Sequence, residues 1–159
     1  MLRSRWCPGP AGESLGDRAA SNDLDSGVRG RSNGPLIVSI TDFTSDAYRD
    51  LPGIARRGLA LRRHWPHLDG AVGMWWWAVP SARRCGAVSV WTGRRALASF
   101  VRLPEHVAIM DEYRERGTTR SVIREYESFD AARIQRDAQA WLLPDERRRA
   151  AREAPRQNG

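Results

Sequence analysis

The chain has no lysine; all 26 of its basic residues are arginine. Phosphate-holding surfaces usually mix the two. Complete loss of lysine is the mark of nucleotide-composition bias in a GC-rich genome, so the net charge of +7 is not read as a nucleic-acid footprint. Cysteine is scarce too. Cys7 and Cys85 stand far apart, with no CxxC pair and no Cys/His cluster, which argues against a structural zinc site and for a reducing, cytoplasmic setting. Cys85 reads as a small buried apolar residue. No run approaches the ~18 apolar residues of a membrane helix. The first residues include arginines but no apolar h-region, so no secretory signal and no membrane role are expected. GxGxxG and Walker patterns are both missing, which weighs against a bound dinucleotide.

What remains is room for one domain and one core in 159 residues, with 41% hydrophobic residues and the shortfall at the two ends. Residues 1–34 are rich in Gly, Ser, Asp, Asn and Arg and are expected to form a disordered arm, or to be an over-extended gene start. Residues 144–159 are expected to form a disordered Arg-rich tail. The domain is placed at residues 35–143.

Within it, Leu36–Ile40 reads as a strand ended by Asp42 and Ser45. A helix from Leu51 to about His64 carries Pro52 in its first turn, where proline is tolerated. Asp69-Gly70 marks a turn before a second strand, Ala71–Val79. Pro80-Ser81-Ala82 reads as a hairpin loop leading into a third strand, Cys85–Trp91. One long helix is expected from Arg94 to Arg116, broken or kinked by Pro104, with Gly117 as its stop. A fourth strand, Thr119–Tyr126, and a last helix, Ala131–Leu143, complete the series. The order β-α-β-β-α-β predicts an α+β, ferredoxin-like fold with an antiparallel sheet and an extra C-terminal helix. On the second strand Trp75, Trp77 and Val79 share one face, Met74 and Trp76 the other. Both faces are apolar, and helices cover only one. A second sheet is therefore expected against the other, giving a homodimer whose two sheets close into a barrel.

The chemistry-bearing residues cluster in the strand-to-helix unit Cys85–Gly117. Counted helically from His106, the residues Ile109, Met110 and Tyr113 share its face, so the imidazole points to the core or to a pocket. Such a histidine is a general base, a proton shuttle or a heme ligand, or else a buried histidine satisfied by one hydrogen bond. Trp75, Trp76 and Trp77 feed both sheet faces and are candidate aromatic walls, with core packing as the alternative. Arg120 and Arg124 share a strand face and are candidate partners for a carboxylate or phenolate, or simply pair with neighbouring acids. His64 and His67 flank a helix end with no third ligand, so no metal site is expected.

The segment Leu36–Tyr126, somewhat over half the chain, resembles the dimeric α/β-barrel superfamily, in particular antibiotic-biosynthesis-monooxygenase-like proteins. Three stretches carry the resemblance: Asp69-Gly70-Ala71-Val72-Gly73, then Val88-Ser89-Val90-Trp91, then Ala96-Leu97-x-x-Phe100 followed by Pro104-x-His106. It implies a monooxygenase-like enzyme without a bound cofactor, acting on a small aromatic or polyketide-like molecule in an apolar pocket. His106 would be the base, and Trp91, Trp75, Trp77, Phe100, Met110, Tyr113, Arg120 and Arg124 would surround the substrate. Trp91 falls where relatives place a pocket tryptophan. Heme-degrading relatives carry their ligand histidine about one turn beyond His106, where this chain has Met110. The alternatives are a non-catalytic dimeric ligand-binding or scaffold protein of the same fold, and a heme-using member.

Overall fold

A computed structural model describes residues 1–12 and 35–143, which fall into two units, Met1–Ser128 and Phe129–Gly159. The first unit is a six-stranded antiparallel sheet with helices. Two short strands, β1 (Leu2–Arg3) and β2 (Cys7–Pro8), precede β3 (Leu36–Ser45), helix α1 (Leu51–Leu61), β4 (Ala71–Val79), β5 (Arg84–Trp91), helices α2 (Arg94–Val101) and α3 (Pro104–Tyr113), and β6 (Gly117–Tyr126). The strand order is β4-β5-β3-β6, with β1 and β2 both added to the outer side of β4. The four long strands therefore have the ferredoxin-like arrangement that the element order predicts.

The expected strand ends were too short on β3. Asp42 does not end it; the strand runs on through Asp42, which pairs in register with Gly86 on one side and Arg120 on the other. A carboxylate is tolerated there because two arginines neutralise it. Arg84 donates to both carboxylate oxygens, at 3.1 and 2.7 Å, and Arg120 pairs with the same group. Asp42 is fully buried, so without those partners its burial would be prohibitive.

The long helix expected over residues 94–116 is two helices. Pro104 lacks the N–H that would continue the ladder, and it forces Leu103 into an extended conformation (φ −57°, ψ 134°). The chain turns there, and α3 restarts with Pro104 at its first position. This break sets His106 in the first turn of a new helix. Gly117 is no helix stop but the first residue of β6, where any side chain would overlap Phe43 and the Thr44 carbonyl. At the turn before β4, Gly70 takes φ +76°, which explains the Asp-Gly pair. The β4–β5 hairpin instead uses a 3-10 turn, Pro80–Ala82, with Arg83 left-handed at φ 55°.

The arm expected over residues 1–34 is ordered over its first twelve residues. Leu2 and Arg3 pair with Ala78 and Trp77, while Cys7 and Pro8 pair with Met74 and Gly73. Between them Ser4 donates its N–H to the Trp76 carbonyl (2.8 Å), and its hydroxyl accepts from the Trp76 N–H (2.9 Å). The composition argument failed because these residues bury little apolar surface of their own. They are held by an edge strand that needs partners, and by one ring. Trp6 occupies the space that a side chain at Gly73 would fill and meets Trp75 at 4.2 Å between ring centres. Residues 13–34 and the tail 144–159 lie outside the described residues.

The far face of the sheet carries Val38, Ile40, Val88, Trp75 and Trp77, all buried within a single copy of the chain.

In the second unit, Asp130 caps helix α4 (Ala131–Leu142) by accepting the Arg133 N–H at 2.9 Å. Ile134, Ala138 and Leu142 recur along one side of it at four-residue spacing.

Candidate active site

Alternation along the strands sends Ser39, Thr41 and Phe43 of β3 to the same face as Met74 and Trp76 of β4, by the register Trp76–Ala87–Thr41–Ser121. Helices α1, α2 and α3 lie over that face and leave a partly open cavity of about 550 Å³. Its floor includes Ala87 and Ser89 of β5 and Thr119, Ser121 and Ile123 of β6. Its walls are Ile54, Gly58 and Leu61 from α1, then Leu97, Phe100 and Val101 around the end of α2. From α3 come His106, Ile109, Met110 and Tyr113. Among the described residues no aspartate or glutamate lines it. The lining is apolar apart from a stripe of strand hydroxyls, His106, the Tyr113 phenol, Arg114 at the edge, and two indoles, Trp65 and Trp76.

His106 meets Phe100 edge-on at 4.8 Å between ring centres. Burial lowers its pKa below the usual 6.5, because imidazolium is costly to desolvate; a backbone hydrogen bond with Val101 partly opposes this. The side chain is therefore neutral at neutral pH. Its Nδ1 is buried with no hydrogen-bond partner. Among the described residues two other side-chain polar atoms share that condition, the indole nitrogens of Trp65 and Trp76. All three residues line this one cavity. An unsatisfied buried polar group costs about 1–3 kcal/mol, so three around one cavity are a concentrated expense that a bound molecule would relieve.

Of the residues expected around the substrate, the structure brings His106, Phe100, Met110 and Tyr113 to the cavity. Trp91 does not line it. It is fully buried one layer behind, packed on Trp65 (4.9 Å) and Phe100 (5.2 Å), with its N–H satisfied by Ser89 at 2.9 Å. Trp75 and Trp77 lie on the far face of the sheet. Trp77 donates to the Thr41 carbonyl (3.2 Å) and carries Arg84 over its ring at 5.6 Å. Arg120 and Arg124 are on that far face as well, by their pairing with Asp42 and Val38. Arg120 serves Asp42 rather than a ligand. His64 sits 3.6 Å from Glu105 at the surface, and no group of metal-ligating side chains occurs among the described residues.

Sequence reasoning missed Trp65, and it did not single out Trp76 from the tryptophan run. A signal for Trp76 was present. Gly58 stands inside α1, where glycine costs about 1 kcal/mol relative to alanine, and it is there because a side chain would overlap the Trp76 ring.

Fold and cavity together define the class: an α+β, ferredoxin-like protein with the fold of antibiotic biosynthesis monooxygenase-like proteins, hollow between sheet and helices. No family model matches the chain, and no curated protein matches it. Solved structures do. A Nitrosomonas europaea protein assigned as an antibiotic biosynthesis monooxygenase superposes with a TM-score of 0.52 at 10% identity, over 58% of this chain and 91% of its own. A conserved protein from Methanosarcina mazei Go1 gives 0.52 at 10% identity, over 60% and 96%. A Shewanella oneidensis protein gives 0.52 at 12%, over 58% and 92%. At such identities the likeness is one of fold. Among the described residues no helix is long and apolar enough to cross a membrane.

Proposed function

We propose that the chain is a monooxygenase-like enzyme that oxidises a small aromatic or polyketide-like molecule in the cavity, with His106 as general base. The observation that carries this reading is the His106 imidazole: neutral, in the wall of a mostly apolar cavity, with a buried nitrogen that has no partner among the described residues. The reaction that fits needs an acidic C–H or O–H on the substrate. For a methylene flanked by aryl or carbonyl groups, one molecule of substrate and one of dioxygen give one ketone and one water. His106 takes the proton. The carbanion gives one electron to dioxygen, and recombination forms the C–O bond of a peroxide, which receives the proton back. Loss of water, with cleavage of the O–O bond and departure of the second methylene hydrogen as a proton, leaves the ketone. The protein supplies a dry cavity, a base and donors for the anion. Because Nδ1 is covered by neighbouring side chains, the substrate must displace one of them.

A purely structural protein of this fold would be expected to fill the space with side chains. Here Trp65 and Trp76 border about 550 Å³ without filling it, which favours a ligand. The test is oxygen uptake with an anthrone, a methylene-activated aryl ketone, compared between the natural chain and His106→Gln. One dioxygen consumed per ketone formed, and a fall of about 10²-fold or more in the variant, are expected. Unchanged turnover in the variant would remove His106 from the mechanism. A hemin titration giving a Soret band that disappears in His106→Ala would replace the reading with a heme-dependent one.

A further inference from the structure

We propose that the open edge of β6 is a docking site for an extended segment of another protein, one in which acidic and apolar residues alternate. The two edges of the sheet differ. The outer side of β4 is covered by β1 and β2 of the same chain. β6 pairs with β3 on one side, and among the described residues no strand lies on its other side. It runs for ten residues, Gly117–Tyr126, in unbroken register with β3 and without a proline. Alternate residues of such a strand turn their N–H and C=O groups outward, where the sheet offers no partner. Natural sheets shorten, bulge or cover an edge of this kind.

The side chains of β6 select what fits there. Thr119, Ser121 and Ile123 share the cavity side of the strand, by their register with Phe43, Thr41 and Ser39. Ile123 is 44% exposed. Arg120 and Arg124 are exposed on the other side, with Val122 between them. Residues opposite each other on neighbouring strands share a face. A strand added to β6 therefore sets one series of alternate side chains against Arg120 and Arg124, and the other beside Ile123. Acids suit the first series and apolar residues the second. The chain does not cancel this charge itself. Asp42 stands against two arginines, Arg84 and Arg120, and the carboxylate of β6, Glu125, is on the cavity side, held by Arg94 at 2.7 Å. A second copy of the chain is the poorer occupant. In an antiparallel β6–β6 pair about a two-fold axis, Arg120 and Arg124 fall opposite or diagonal to their own counterparts, and like charges so placed repel. Nothing in this docking uses the reaction proposed above.

The probe is a fluorescein-labelled peptide, Ser-Glu-Val-Glu-Leu-Glu-Val-Ser, titrated into the full-length chain by fluorescence anisotropy. Two further forms carry N-methyl groups on alternate residues, in one frame or the other, and a third has lysine for glutamate. In the free chain, alternate β6 amides should exchange quickly with solvent. Protection along the whole strand would show the edge already covered, by a second copy or by the chain itself, and would overturn the proposal. The parent peptide should bind and slow exchange at those same amides. One N-methyl frame should lose about tenfold or more, and the other should stay within about threefold, because an added edge strand bonds on one side alone. Arg124→Glu should weaken the parent peptide by about fivefold and strengthen the lysine form. No binding of the parent peptide, equal loss in both frames, or an Arg124→Glu chain that binds both peptides as the natural chain does would overturn the assignment.

Discussion

Replacing Gly58 by alanine inside α1 should destabilise this protein, against the usual sign of that substitution. In an exposed helix interior the change gains about 1 kcal/mol from the lower backbone entropy of the unfolded chain. Here the new methyl would meet three atoms of the Trp76 ring, and even the farthest of them, Cζ3, lies at 3.0 Å, closer than nearly all real contacts. The ring cannot slide freely, since the backbone of β4 is bonded on both sides. It has to shift by on the order of 1 Å, and such overpacking costs about 1–3 kcal/mol. With the propensity gain set against it, the net effect is a loss of about 1 kcal/mol, or about 2–4 °C in Tm for a chain of this size. The decisive assay is a double-mutant cycle by urea unfolding. In a Trp76→Ala background the obstacle is gone, and Gly58→Ala should stabilise by about 1 kcal/mol. A stabilising effect in the natural background, or the same effect in both, would refute the packing argument and with it the fixed orientation of the Trp76 ring.

Other outcomes follow from the same structure. Arg84→Ala removes the two-point partner of fully buried Asp42 and should cost about 3 kcal/mol in chemical denaturation; a loss under about 0.5 kcal/mol would contradict the burial of that carboxylate. The Cys85 thiol, pushed up to about 11 by burial and then by the nearby Asp42 charge, stays protonated, so a thiol reagent should modify it only on unfolding. Modification of native Cys85 at the rate of a free thiol would show that the strand is open. Burial lowers His106 from its usual 6.5, so the acidic fall in turnover should have its midpoint below that value. An inflection at or above 6.5 would mean that the imidazole is solvated. The sign carries over to stability. The unfolded chain binds the proton more readily, so His106's contribution is complete above pH 6.5 and is lost as pH falls from there through its lowered folded value.

The reach of the sequence differs between elements for physical reasons. β4, from Ala71 to Val79, was bounded correctly, because a run of apolar residues between Gly70 and Pro80 has few other outcomes. His106, Met110 and Tyr113 were placed on one cavity face from helical spacing alone. Asp42 misled, because a carboxylate ends a strand on propensity unless a partner far along the chain neutralises it. Arg84 and Arg120 are 42 and 78 residues away. The N-terminal strands were missed because their order comes from bonds to β4 and from Trp6 on Gly73, neither of which shows in local composition.

The tryptophan run Trp75-Trp76-Trp77 marks the boundary between the two kinds of knowledge. Period-two alternation dictated that Trp76 faces opposite to its neighbours, and that much was in the sequence. Which face the helices cover was not, because it depends on how the two crossovers fold back on the sheet. The tertiary structure put Trp76 under the helices and Trp75 and Trp77 on the far face, along with Arg120 and Arg124. The sequence alone determined the order of elements from β3 onward, the break at Pro104 and the histidine just after it, since these rest on local stereochemistry and periodicity. Only the tertiary structure decided which side chains share the cavity and which polar atoms are left there without partners, since burial and pairing are set by residues distant in the chain.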